Sequence, residues 1–303
     1  MSLHFYQAYA LTIHSELALP ELLGTDPSMS PAMCDVLIRF GRAAAPVAEG
    51  PLEQLSAFAW ARPGLLKLDV PGIASFLVCG GCEITVEPAV GSDEASIRAF
   101  LLGSALGALL MQRGLLVMHG NAIRIGDRCM LCVGHSGAGK STLAAAFTQR
   151  GYALLADDVI PIDGKGCALP GVPRVKLWPD SAAQLGLDVT RLDAIRPGVN
   201  KFTLPVHQSM TDLPLPVGWI YVLTAGETPS LSAVRGMRRF ELLQGYGYRP
   251  RFVAGLGLQK EQLLSCSRLA NQAQMSELVR KRDHFDLNGL VDSLLADMQE
   301  ACV

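Results

Sequence analysis

Gly134-His135-Ser136-Gly137-Ala138-Gly139-Lys140-Ser141 matches the spacing GxxxxGK[ST] at every fixed position. Each residue type there has a chemical reason. The glycines let successive backbone N–H groups turn inward around phosphate oxygens. Lys140 brings a point charge to the β- and γ-phosphates, and the Ser141 hydroxyl is a hard oxygen ligand suited to Mg²⁺. Together with Thr142, these residues predict a binding site for ATP and Mg²⁺. Seventeen residues beyond Lys140 stands an acid pair, Asp157-Asp158. Two adjacent carboxylates leaving a strand end are expected to face different ways. One then holds the metal while the other accepts the proton of an attacking hydroxyl.

Chemistry of this kind needs elements to hold it. The apolar run CMLCV (Cys129–Val133) predicts a buried strand entering the loop, and TLAAAFTQR predicts a helix over residues 140–150 leaving it. Gly151 turns the chain into a second buried strand, YALLA (Tyr152–Ala156), which delivers the acid pair. Upstream, LLVMHG (Leu115–Gly120) reads as a strand, followed by a hairpin around Gly126-Asp127. Downstream, GWIYVLTAG (Gly218–Gly226) reads as a strand and LNGLVDSLLADM (Leu287–Met298) has helical spacing. The first 90 or so residues read as β-rich. Strands are expected near Tyr9–Ile13 and Asp35–Arg39 and within GLLKLDVPGI, and Ala43–Pro51 reads as a loop. Ser92-Asp93-Glu94 supplies N-capping groups for an apolar helix over about 95–113. The expected organisation is α/β, with a smaller β-rich domain over 1–95 and a P-loop domain with a parallel sheet over 96–303.

Three motifs in order, Met118-His119-Gly120, GHSGAGKST and RGYALLADD (Arg150–Asp158), resemble the kinase domain of the HPr kinase/phosphorylase family, related in fold to phosphoenolpyruvate carboxykinase. The resemblance covers a contiguous stretch of about 40 residues and implies a P-loop serine kinase core. Carried over, it makes Asp157 the catalytic base and Asp158 the metal-linked acid. His119 becomes the histidine that orients or polarises the base. The family's later motif with Glu, Arg and Gly lacks its glutamate here, and Val199 in Arg196–Lys201 stands where arginine would be. Phosphorolysis and HPr itself as substrate are therefore not expected. The stretch Pro170–Asp180 (PGVPRVKLWPD) resembles a subgroup that includes kinases of lasso-peptide biosynthesis, which phosphorylate the C-terminal serine of a precursor peptide. The resemblance thus implies a peptide or small-protein partner, and a homo-oligomer without fixing one. Arg174, Lys176, Arg196 and Lys201 are cations in loop-like segments after the acid pair. They are candidates to neutralise the γ-phosphate or to hold a substrate carboxylate. Two other readings stay open: a small-molecule kinase on the same fold, and a nucleotide-gated binding module with little turnover.

Composition narrows the field. The 303 residues are 50% apolar and 18% charged, so the chain is not a disordered one. With 26 Lys+Arg against 28 Asp+Glu, neither a nucleic-acid coat nor a polybasic membrane anchor is expected. Mean hydropathy is high, at +0.27. The most apolar run, Ala99–Met111, is short for a membrane span, and its Gly103 and Gly107 predict close approach of another element. With no basic n-region before an unbroken apolar run at the start, a cytoplasmic protein is expected. Cys79-Gly-Gly-Cys82 and Cys129-Met-Leu-Cys132 share a zinc-site spacing. The first pair is expected to flank a two-residue hairpin turn and the second to point to opposite faces of a strand. Small buried hydrophobes are the expected role for both pairs.

Overall fold

Alternating apolar and polar residues near the N-terminus fold into strands, and the turns between them fall where the chain needs positive φ. In a computed structural model that describes residues 3–25, 34–46, 50–206, 213–281 and 286–300, the chain divides into two compact units. The first comprises the chain up to Val117, with Ile195–Val199 and Gly247–Ser265. The second comprises Met118–Ala194, Asn200–Tyr246 and the chain from Cys266.

Nine strands build the sheet of the first unit. They are β1 (His4–Ala8), β2 (Leu11–Ser15), β3 (Leu23–Gly24), β4 (Val36–Phe40), β5 (Glu53–Ser56), β6 (Ala59–Arg62), β7 (Leu65–Val70), β8 (Ala74–Cys79) and β9 (Glu83–Pro88). Their order is β3-β1-β2-β4-β9-β8-β7-β6-β5, parallel only where β4 meets β2 and β9. Tyr9 is not a strand residue, as its spacing predicts, but forms the β1–β2 turn with Ala10, both at φ +57. Over Ala43–Pro51 the described residues carry no helix or strand, and 47–49 lie outside the described residues. The Cys79–Cys82 hairpin differs from expectation by one residue. Gly80 and Gly81 take positive φ and Cys82 N–H closes the turn on Cys79 O at 3.1 Å, yet the ladder pairs Cys79 with Glu83. Cys82 is left in the three-residue turn, its carbonyl accepting from Leu37 N–H of β4. It is exposed and Cys79 half-buried, so this pair is not a pair of core hydrophobes.

The apolar helix runs as α1 (Glu94–Phe100), a π-turn (Leu101–Ala105) and α2 (Leu106–Gln112). Asp93 caps it, its carboxylate accepting from Ser96 N–H at 2.8 Å. By length and composition the 19 residues Glu94–Gln112 could cross a bilayer, longer than the run Ala99–Met111 suggested. They are instead mostly buried in the protein, packed on β8 and β9. Leu101, Leu106 and Leu109 are fully buried, each contributing about 2 kcal/mol. The helix therefore belongs to the first unit, and the break falls after Val117 rather than at residue 95.

In chain order the remaining elements are β10 (Leu116–Met118), β11 (Gly120–Ile125), β12 (Arg128–Val133), α3 (Lys140–Gln149), β13 (Leu154–Asp157), β14 (Ile160–Ile162), β15 (Cys167–Ala168) and β16 (Arg174–Leu177). Then come α4 (Pro179–Gln184), β17 (Asp193–Ala194), β18 (Phe202–Pro205), β19 (Leu215–Gly226), β20 (Ser230–Ala233) and α5 (Met237–Gly245). Last are α6 (Pro250–Gly255), α7 (Gln259–Gln272), β21 (Gln274–Lys281) and α8 (Leu287–Glu300). The main sheet of the second unit is mixed, where the sequence predicts a parallel one. β12, β19 and β21 are parallel neighbours, but the hairpin at Gly126-Asp127 folds β11 back between β12 and β13, antiparallel to both. Helix α3 is apolar on most of its circumference because it is covered twice. Leu143 and Phe147 join Trp219 and Tyr221 of β19 and Val291 and Leu294 of α8 in one core cluster. A small antiparallel sheet, β16-β18-β17, stands apart from the main one.

Candidate functional site

The loop after β12 is shaped by glycines in positions that disfavour a side chain. A Cβ on Gly134 would lie 2.4 Å from the Leu223 carbonyl, and Gly139, which begins α3, takes φ +102. The first N–H groups of α3 have no partner within the helix, which makes its N-terminus a site for phosphate oxygens. Lys140 is 8% exposed, and its Nζ donates to the carbonyls of Gly134 at 2.8 Å and His135 at 3.0 Å. Burial holds its pKa below the usual lysine value. Thr142 Oγ1 donates to Ser181 Oγ at 2.8 Å, tying α3 to α4. The His135 ring lies edge-on to Tyr246, with centroids 5.3 Å apart.

The acid pair ends β13 in an arrangement that alternation does not predict. Asp158 sits at φ +74, a left-handed conformation that aspartate tolerates better than most residues. This turn brings both carboxylates to one cavity of about 570 Å³, along with His119, Ser136, Gly137, Gly139, Lys140 and Ser141. Asp157 Oδ1 accepts from Ser141 Oγ at 3.3 Å and Oδ2 from Lys176 N–H at 2.9 Å. Burial first, and the Asp158 charge second, push the Asp157 carboxyl above the usual range. Asp158 Oδ2 accepts from Lys176 Nζ at 2.6 Å, and Oδ1 lies 3.3 Å from His119 Nδ1. Burial alone would raise the Asp158 carboxyl, but the Lys176 ammonium and the His119 ring hold it well below the usual range.

These partners are exchanged relative to the sequence expectation. His119 meets Asp158, not the Asp157 it is expected to orient, and Ser141 meets Asp157, not the Asp158 it is expected to share a metal with. Ser141 and Asp157 offer two hard oxygens close together, a set that fits Mg²⁺, which keeps several waters and takes phosphate oxygens as further ligands. No cluster of three or more His, Cys, Asp or Glu suited to a metal occurs among the described residues. Cys129 and Cys132 are buried, as expected.

Of the four candidate cations, Lys176 and Lys201 line the cavity. Arg174 and Lys176 lie on strand β16, not in a loop, and Arg174 is buried away from the cavity lining. Arg196 belongs to the first unit, where its guanidinium lies over the Phe100 ring at 5.6 Å. The sequence reading missed three contributors. Arg280 of β21 lines the cavity and donates through Nε to Ala138 O at 2.8 Å, bracing the loop. Buried Asn121 of β11 donates to Lys140 O at 2.6 Å. Trp178, 49% exposed, forms part of the cavity wall. Asn121 and Arg280 carry no local motif, so only the fold reveals them. Trp178 stood in view two residues after Lys176 with nothing to mark it.

No family model matches the chain, and no curated protein matches it. Among solved structures, the chain is similar to one described as the Hpr(Ser) kinase/phosphatase from Coxiella burnetii. Identity is 13%, the match covers 61% of this chain and 92% of that one, and the TM-score is 0.33.

Proposed function

We propose that this chain is an Mg-ATP-dependent kinase that transfers the γ-phosphoryl group to a hydroxyl acceptor. The observation that carries the reading is the convergence, in one cavity, of a complete phosphate loop with two differently partnered carboxylates. Ser141 and Asp157 would hold Mg²⁺, which neutralises charge on the phosphates. Lys140 and the α3 N-terminus hold the β- and γ-phosphates. Asp158, aimed by His119 and Lys176, takes the proton of the acceptor hydroxyl as the new O–P bond forms. The bond from the γ-phosphorus to the bridging oxygen breaks, and ADP leaves. The contacts of Ser141 with Asp157 and of His119 with Asp158 are what support exchanging the roles that the family resemblance implies for the two aspartates, while the directions of their pKa shifts run the other way. A serine on a peptide or small protein is the acceptor suggested by the resemblance of Pro170–Asp180 to kinases of lasso-peptide precursors.

The test incubates the protein with Mg-ATP and serine-bearing peptides, following ADP release and the gain of one phosphate by mass spectrometry. A phosphorylated peptide supports the reading. Mg-ATP binding without transfer to any hydroxyl, or no binding at all, rejects it.

A further inference from the structure

Four cations line the cavity, and three are already engaged by the protein. Lys140 donates to the loop carbonyls, Lys176 pairs with Asp158, and Arg280 braces Ala138. Among the described residues Lys201 alone of the four has neither hydrogen bond nor ion pair. Its ammonium lies over the Trp178 ring, 5.7 Å from Nζ to the centroid. Burial pulls its pKa below the usual lysine value while the acid pair opposes the shift. The acid pair is already contacted at both oxygens of each carboxylate by other groups, and Lys201 makes a direct ion pair with neither aspartate. A partly buried ammonium with no direct ion pair is costly to hold, and the position is explained if an anion arrives with a ligand.

Position says which ligand. Lys201 directly precedes β18 and Trp178 directly follows β16, whose Leu177 pairs with Phe202. The two therefore stand at one end of the small sheet that also carries Lys176. The triphosphate is served by other elements, namely the loop, Lys140, Ser141 and the start of α3. We infer that the acceptor carries an oxyanion of its own near the reacting hydroxyl, and that Lys201, seated against Trp178, receives it. The inference rests on the kinase reading and narrows the acceptor class to hydroxyl compounds bearing a carboxylate or a phosphate. A face-on indole adds cation–π attraction that holds the ammonium in place.

The experiment uses the full chain saturated with Mg²⁺ and β,γ-imido-ATP. N-acetyl-L-serine, its neutral amide and glycerol 3-phosphate are titrated in by calorimetry. At least one anion should bind about tenfold more tightly than the amide, the ratio expected for one charge-assisted contact. Which anion wins separates a carboxylate acceptor from a phosphate one. In Lys201→Gln that advantage should vanish, in Lys201→Arg it should largely persist, and nucleotide affinity should stay within about twofold in both. Equal binding of anions and amide, or no binding of any probe, overturns the inference. So does an unchanged advantage in Lys201→Gln, or nucleotide affinity that falls with it. Failure of the wild type to bind Mg-nucleotide instead rejects the kinase reading, which keeps the two failures apart.

Discussion

Asp157 and Asp158 are adjacent in sequence, yet their carboxyl pKa values move in opposite directions. For Asp158 the native value lies below the ordinary 3.8. Its pairing with Lys176 therefore adds stability above that value, lost as pH falls through the lower native one. Asp157 has the opposite sign. Its ionisation costs stability above the raised native value, and the cost vanishes as pH falls below the ordinary carboxyl range. Asp157→Asn should therefore raise the Tm of the metal-free protein at about pH 7, with the gain shrinking toward about pH 4. Mg²⁺ should stabilise the wild type more than this variant. A lower Tm for the variant at neutral pH would contradict the burial argument. In turnover the two variants should separate as well. Asp158→Asn should keep Mg-ATP binding and lose about 10²- to 10⁴-fold in kcat, the usual contribution of a positioned base. Ser141→Ala should mainly raise the Mg²⁺ concentration needed. The reverse pattern, with Asp157→Asn the variant that binds Mg-ATP normally and fails only in transfer, would restore the roles implied by the family resemblance.

Elements that the sequence marks by period were legible, and those fixed by distant contacts were not. Strand β12, helix α3 and strand β13 follow from apolar runs and a glycine-rich loop, and α1 from its Asp93 cap. The same reading missed the reversal of β11 between β12 and β13, because a hairpin signal does not say which neighbour its first strand will take. Cations were harder. Lys176 and Arg174 have similar local surroundings, yet one reaches Asp158 and the other is buried elsewhere. Arg280 braces a residue 142 positions away, beyond the range of any spacing rule. Close approach at the Gly103–Gly107 pair was legible, and its partner is Tyr248. A Cβ on Gly107 would lie 2.6 Å from the Tyr248 ring. Gly107→Ala should therefore cost about 1–3 kcal/mol in a denaturant titration, as overpacking does. In a Tyr248→Leu background the same change should cost less. Equal costs in both backgrounds would show that the ring is not the obstacle.

At the scale of the whole molecule the chain passes between its two units five times, after Val117, Ala194, Val199, Tyr246 and Ser265. A cut at residue 95, where the composition changes, removes the β-sheet from the helix that covers it. A cut after Val117 leaves the first unit without Ile195–Val199 and Gly247–Ser265. Among the losses is Gly255, whose Cα lies so near Leu55 and Ala61 that a Cβ would clash with both. Fragments ending at Val117 or starting at Met118 should therefore show no cooperative thermal transition, whereas the full chain should. A sharp transition in either fragment would mean that the later segments are not integral to the units. The high mean hydropathy has its source here as well, in a 19-residue apolar helix and in strands covered on more than one face.

The left-handed backbone at Asp158 has a practical consequence for anyone who wants an inactive reference protein. Alanine at this position would remove the carboxylate and also force a residue with a Cβ and no local hydrogen bond into a conformation costing about 1 kcal/mol or more. Its effects would mix lost chemistry with a displaced strand end, and Asp157 would move with it. Asparagine keeps the backbone preference and removes only the charge. It is the substitution whose phenotype can be read as chemistry.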